Sequence, residues 1–165
     1  MNSHQIRFDE DLVRRYDRSG PRYTSYPTAV QFSDRFGVNE YRAVAVASNQ
    51  DPIPRPLSLY VHIPFCSSPC FYCGCTKVIT RNHEKAEAYL YRLHREIELQ
   101  SQLYDRDREV EQLHFGGGTP TFLTSLEIDR LIEKLGSHFK LSRDPSREYS
   151  IELDPRTITR DTLRD

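Results

Sequence analysis

Hydrophobic and polar residues follow two different patterns along the chain, and the change falls near residue 57. Before it apolar positions are sparse, and Phe8, Leu12 and Tyr16 share only a weak helical spacing that Ser19-Gly20-Pro21 ends. Residues 22–37 are rich in Pro, Ser and Tyr and read as loop, and a short helix is predicted near 39–48. Asp51-Pro52-Ile53-Pro54-Arg55-Pro56 is a stiff connector, because each proline fixes its own φ and biases the preceding residue toward extended backbone. Residues 1–56 are expected to form an N-terminal extension and linker.

From 57 onward strand, loop and helix patterns alternate. Leu57, Leu59, Val61 and Ile63 interleave with Ser58, Tyr60 and His62, which predicts a strand over 57–64. A helix is predicted over 82–104, with Asn82 as its cap and Ala86, Leu90, Leu93, Ile97 and Tyr104 on one face. A second strand, 110–115, is closed by Gly116-Gly117-Gly118. Thr124-Ser125-Leu126-Glu127 has the form of a capping box, opening a helix with Ile128, Leu131, Leu135 and Phe139 inward. A third strand is predicted over 148–154, and Thr159 is placed to cap a further helix. Strands alternating with helices of this length predict an α/β fold of parallel strands.

One face of each strand is polar: Ser58, Tyr60 and His62; Gln112 and His114; Ser150, Glu152 and Asp154. A closed eight-stranded barrel would bury both faces of its strands in aliphatic side chains. A polar inner face suits a wider, open barrel around a ligand, and an open sheet with one solvated face is the alternative that periodicity leaves standing.

Composition narrows the function classes. The 165 residues carry 23 basic and 24 acidic side chains, a net charge of −1, which gives no basic footprint for nucleic acid and no polybasic membrane anchor. The longest apolar runs, such as 57–63, are too short to span a bilayer, and the first 17 residues contain no apolar stretch of the kind a secretory signal needs. A cytoplasmic location is the expectation.

All four cysteines lie between 66 and 75, too close together to staple distant segments, so they point to metal. Cys66, Cys70 and Cys73 form Cys-x3-Cys-x2-Cys on the loop after the first strand. Three thiolates can hold three corners of an iron–sulfur cube and leave the fourth iron open to a small ligand. Structural zinc, which prefers four ligands in two separated pairs, is the rival, and four cysteines in ten residues are crowded for it. Cys75 lies two residues beyond Cys73, a strained reach to the same cube.

The blocks YVHIPFC…CFYCGC, HFGGGTPT, SIELDPR and the N-terminal PRYTSYPTA resemble the oxygen-independent coproporphyrinogen III oxidase (coproporphyrinogen dehydrogenase) family of the radical S-adenosylmethionine superfamily. The resemblance implies the first half of a partial (β/α)6 barrel, with residues 57–165 supplying its first three β/α units. It also implies a [4Fe–4S] cluster on Cys66, Cys70 and Cys73, and two S-adenosylmethionine molecules. Tyr60, Gly117 and Glu152 would touch the first of these, Gly118 and Thr119 the second, and Tyr72 would lie against a cofactor. Read alone, the glycine triplet is a tight turn, Glu152 a solvated edge residue, Tyr60 a core aromatic and Cys75 a free thiol. In the family the residue matching Cys75 is a non-ligand needed for activity. His62 and His114 are expected as hydrogen-bonded inner-face residues rather than metal ligands, and Arg14, Arg15 and Arg22 as solvated surface.

The implied reaction is the oxidative decarboxylation of coproporphyrinogen III to protoporphyrinogen IX in haem biosynthesis. A 5′-deoxyadenosyl radical removes a propionate β-hydrogen, and a reductant such as flavodoxin or ferredoxin supplies the electron. The alternative is a radical-SAM-related haem chaperone, although such relatives typically lack both the Cys75 match and the PRYTSYPTA block. The family has six barrel strands and a further C-terminal domain, so the expectation is a fragment that is inactive alone.

Overall fold

A computed structural model of the chain describes residues 8–17, 29–71 and 73–164. Tyr72, Arg22, Ser19-Gly20-Pro21 and the PRYTSYPTA block up to residue 28 lie outside the described residues. The chain divides into two units, Met1–Gly37 and Val38–Asp165. In the first, Glu10–Tyr16 forms α1, where Asp9 Oδ1 accepts from the Leu12 N–H at 2.9 Å and caps the helix. Arg14 pairs with Glu10 in the open, as a solvated face would.

The second unit opens with α2, Val38–Ala47. Next come β1 (Leu57–Ile63), the short strands β2 (Phe65–Cys66) and β3 (Val78–Ile79), and helix α3 (Glu84–Ser101). They are followed by β4 (Glu109–Gly117), α4 (Ser125–His138), β5 (Lys140–Leu141), β6 (Glu148–Ile151) and α5 (Arg160–Arg164). β4 is central to an open parallel sheet: β1 pairs along one edge, β5 and then β6 along the other. The alternation seen in the sequence decides which side is covered. Leu57, Val61 and Ile63 of β1, with Val110, Leu113 and Phe115 of β4, are buried in one cluster with Ala86, Leu90 and Ile97 of α3 and Leu131 and Leu135 of α4. The capping box of α4 is formed on both sides, by Thr124 and Glu127.

Several expected boundaries move, each for a local reason. α3 starts at Glu84 rather than Asn82, yet Asn82 still serves that terminus, its Oδ1 accepting from the Glu84 N–H at 2.9 Å. β4 does not stop at Phe115: Gly116 and Gly117 continue the ladder opposite His62 and Ile63. β6 ends at Ile151, three residues early. Its last ladder-like bond is Glu152 N to Phe115 O (2.9 Å), after which Asp154 turns the chain by accepting from Thr157 N and Ile158 N, and Pro155 has no N–H to offer. Tyr149, Ile151 and Leu153 remain partly exposed, unlike the matching residues of β1 and β4. The short pair β2–β3 has no counterpart in the sequence reading, because two-residue strands are too brief to show a period.

Candidate functional site

The site forms where β1 and β4 end. After Ile63 the chain runs between two neighbours and is bonded to both. On one side Val78 N donates to Pro64 O (2.7 Å) and Thr80 N to Cys66 O (2.9 Å), which closes the base of the cysteine loop. On the other, Gly118 N donates to Ile63 O and Thr119 N to Phe65 O, both at 2.8 Å. Phe65 is buried beneath, edge-on to Tyr89 and stacked on Phe122. The cysteine loop is therefore rooted at both ends in the sheet.

Two glycines are demanded by this geometry. Gly117 has φ +112°, and a Cβ there would stand 2.5 Å from the His62 ring. A Cβ on Gly118 would stand 2.7–2.8 Å from the backbone of Pro64 and Phe65. The triplet is thus a close-packed continuation of β4, not a tight turn. The N–H groups here are already engaged: Gly117 N donates to Glu152 Oε2 at 3.1 Å, Gly118 N to Ile63 O at the end of β1 and Thr119 N to Phe65 O in β2. A ligand here meets close backbone and the Glu152 carboxylate, rather than a row of free N–H donors.

A cavity of about 580 Å³ opens against these elements, lined by all four cysteines and by Gly117, Gly118, Thr119, Glu152, Asp154 and Arg156. That is within the usual size range of small-molecule sites. Each of the first three thiols meets a donor from a different segment. Thr119 Oγ1 donates to Cys66 Sγ at 3.5 Å, and Arg156 Nη2 to Cys70 Sγ at 3.6 Å. The Cys75 N–H above all holds the Cys73 thiol below its ordinary range; burial opposes it, and Lys77 adds to the lowering. Cys75 is pushed the other way, first by desolvation and then by the neighbouring Cys73 charge. All four are free thiols, Cys66 buried and Cys75 exposed. Among the described residues no three His, Cys, Asp or Glu converge as the ligands of one metal ion.

The polar face of the sheet leads into this cavity. Tyr60 stacks on His114 (5.8 Å, 20°) and its hydroxyl lies 3.0 Å from His62 Nδ1. His62 Nε2 meets Thr76 O at 2.9 Å, so this histidine ties the cysteine loop to β1. His114 Nδ1 lies 2.7 Å from Ser150 Oγ, and its Nε2 lies 3.4 Å from Glu152 Oε1. Burial, and after it the Glu152 charge, raises the Tyr60 phenol. Both histidines are hydrogen-bonded as expected from the sequence. Tyr60 sits beside the cavity rather than in its lining. Cys66, Cys70, Cys73, Cys75, Gly117, Gly118, Thr119 and Glu152 are brought together, and Tyr72 lies outside the described residues. Sequence reasoning put Asp154 on the polar face at the end of the third strand and assigned no part to Arg156 or Lys77, although the SIELDPR block contains both Asp154 and Arg156.

Thiols, carboxylate, cationic donors and close backbone fit an iron–sulfur cube with a small zwitterionic ligand. Thiolates are the usual cluster ligands, and a carboxylate such as Glu152 accepts from an ammonium or hydroxyl group.

No protein-family model matches the chain. It is 51% identical over 158 residues to the oxygen-independent coproporphyrinogen III oxidase of Pseudomonas aeruginosa, covering 96% of this chain and 34% of that one. Its identity to the Escherichia coli oxidase of that name is 48% over 163 residues, with coverage of 99% and 34%. A Mannheimia haemolytica sequence of the same name is 46% identical over 151 residues, covering 92% of this chain and 99% of its own. Among solved structures, coproporphyrinogen III oxidase (HemN) from Escherichia coli, described as a radical SAM enzyme, matches with TM-score 0.76 and 45% identity. That match covers 97% of this chain and 34% of the other. The chain spans about a third of the length of the Pseudomonas and Escherichia proteins.

Proposed function

Since the chain belongs to the oxygen-independent coproporphyrinogen III oxidase family, we propose that it carries the cluster and cofactor end of the site that converts coproporphyrinogen III to protoporphyrinogen IX. On this reading residues 57–165 are the first three β/α units of a radical SAM barrel, preceded by an extension and linker over 1–56. The observation that carries it is one cavity lined by Cys66, Cys70 and Cys73 on one wall and by Gly117, Gly118, Thr119 and Glu152 on another.

Cys66, Cys70 and Cys73 would hold a [4Fe–4S] cluster. Gly117 and Glu152, with Tyr60 beside them, would hold S-adenosylmethionine at its open corner. Gly118 and Thr119 would face a second molecule, and Tyr72 would lie against a cofactor. When bound, the cluster and S-adenosylmethionine supply a 5′-deoxyadenosyl radical able to take a β-hydrogen from a substrate propionate. The protein's share is placement. Glu152, held by Gly117 N–H and faced by His114, presents a fixed carboxylate. Glycine at 117 and 118 lets this segment pack directly against His62 and the Pro64–Phe65 backbone, which sets the cysteine loop beside it. Phe65, buried and stacked on Phe122, anchors the root of the cysteine loop. Cys75 would act without binding iron. A one-electron reductant such as flavodoxin or ferredoxin, and a cytoplasmic setting, belong to the same reading.

Anaerobic reconstitution with iron and sulfide tests it. The expected product is brown, contains close to four irons and four sulfides per chain as a cube requires, and shows a reduced-state EPR signal that changes on adding S-adenosylmethionine. A colourless chain with one metal bound by four sulfurs would overturn the proposal.

A further inference from the structure

Among the described residues, Arg156 is the one cation whose head group meets a cysteine sulfur across a long stretch of chain. It lies 86 residues from Cys70 in sequence, and its Nη2 stands 3.6 Å from that sulfur. The guanidinium is not free to wander. Asp154 grips it as a fork, with Nε at 2.9 Å from Oδ1 and Nη2 at 2.7 Å from Oδ2, and the Arg156 backbone N–H also donates to Oδ1. Asp154 is itself fixed, since its carbonyl closes the turn after β6 and its side chain is only 15% exposed. Nη2 carries two hydrogens, so the one not given to Asp154 is aimed at Cys70. A solvated surface pair between near neighbours would need no such aim, and the 56% exposure of Arg156 leaves its hydrogen bond intact while weakening its longer-range field.

We propose that Arg156, oriented by Asp154, is a positioning residue that donates a hydrogen bond to the Cys70 thiolate, fastening the cysteine loop to the end of β6 and easing reduction of the cluster. The inference rests on the cluster reading above. Reduction adds negative charge to the cube and its sulfurs, and a cationic donor on one sulfur favours the more negative state. Hydrogen bonds to the sulfurs and local charge are among the determinants of cluster potential, and groups that touch metal ligands without binding metal shift metal properties substantially. The Asp154–Arg156 pair also links the strand end that carries Glu152 to the loop that carries the cysteines.

The test uses the chain reconstituted without air and titrated electrochemically, beside Arg156→Gln and Arg156→Lys. At a fixed reductant poise, Arg156→Gln is expected to lower the ratio of reduced to oxidised cluster about tenfold, which for one electron is about 59 mV toward more negative potential. Arg156→Lys keeps the charge but not the fork and should fall between; it carries the test alone should Arg156→Gln assemble no cluster. In the cluster-free parent, nuclear Overhauser contacts are expected between the Arg156 guanidinium and the Cys70 β-protons. A merely structural role would change cluster content while leaving the potential fixed. An unmoved potential in a fully loaded variant, or absence of the Arg156–Cys70 contact in the parent, overturns this inference and leaves the function reading standing. A parent that assembles no cluster overturns the function reading instead.

Discussion

Replacing Gly118 by Ala tests the close approach on which the site is built. The added Cβ would stand 2.7 Å from Phe65 O and 2.8 Å from Pro64 C and O, all backbone atoms with no rotamer to yield. Ordinary contact begins near 3.4 Å, so the segments must part by about 0.7 Å (3.4 − 2.7). The same separation stretches the bonds from Gly118 N to Ile63 O and from Thr119 N to Phe65 O, both 2.8 Å now, to the edge of bonding distance. Overpacking of this kind costs about 1–3 kcal/mol and a lost hydrogen bond about 1 kcal/mol, so about 3 kcal/mol in all is expected. With a urea slope of about 2 kcal/mol/M, the unfolding midpoint of the cluster-free chain should fall by about 1.5 M. Gly136→Ala is the internal control. It sits within α4, where its Cβ would meet only Leu141 Cδ1 at 3.7 Å, and removing a helical glycine should stabilise by about 0.5–1 kcal/mol. If Gly118→Ala unfolds within about 0.3 M of the parent, the packing described around Pro64 and Phe65 is wrong.

Lys134 and Arg95 hold the Glu98 carboxyl down at about 2, chiefly through the Lys134 hydrogen bond (2.6 Å) that joins α4 to α3. A depressed acid stabilises the fold above its ordinary value near 4.5 and loses that contribution as pH falls toward 2. Urea midpoints of the parent should therefore drop over that window, and those of Lys134→Met less steeply; parallel curves would refute the assignment. Thr124→Ala removes the Oγ1 that accepts from the Glu127 N–H at the start of α4, leaves the backbone N–H of residue 124 donating to Glu127, and should cost about 1 kcal/mol, read from the same unfolding curves. Cys75→Ala is expected to keep the parent's iron and sulfide content after reconstitution, whereas Cys66→Ala, Cys70→Ala and Cys73→Ala each lose it. Iron lost with Cys75 would place that thiol among the ligands.

Much of the fold was legible because burial here follows simple periods. The alternation of Leu57, Val61 and Ile63 and the stripe of Leu131 and Leu135 each name their covered side, and the structure covers those sides. The α4 cap was legible because Thr124 and Glu127 serve one another within a single turn. Most of what escaped depends on partners distant in sequence. β2–β3 is two residues deep and exists only because the loop returns to Pro64 and Cys66. The early end of β6 follows from the Asp154 turn. Arg156 gains its meaning from Cys70, and no local pattern announces a contact 86 residues away.

The polar face shows how such a site stays ordered with so little covering it. Tyr60, His114 and Ser150 are cross-strand neighbours by register, on β1, β4 and β6 in turn. Because the register is parallel, each side chain stands beside the next, and the hydrogen bonds run across the strands: Ser150 to His114, and His114 to Glu152 and so to Gly117. Each partner in that row limits the freedom of the next, so Glu152 is held without being buried. An apolar row would have needed a covering layer to order it, and that layer would have filled the cavity. A polar face satisfied by its own neighbours leaves the space in front of Glu152 and the cysteine loop open to a ligand while fixing the groups that would grip it.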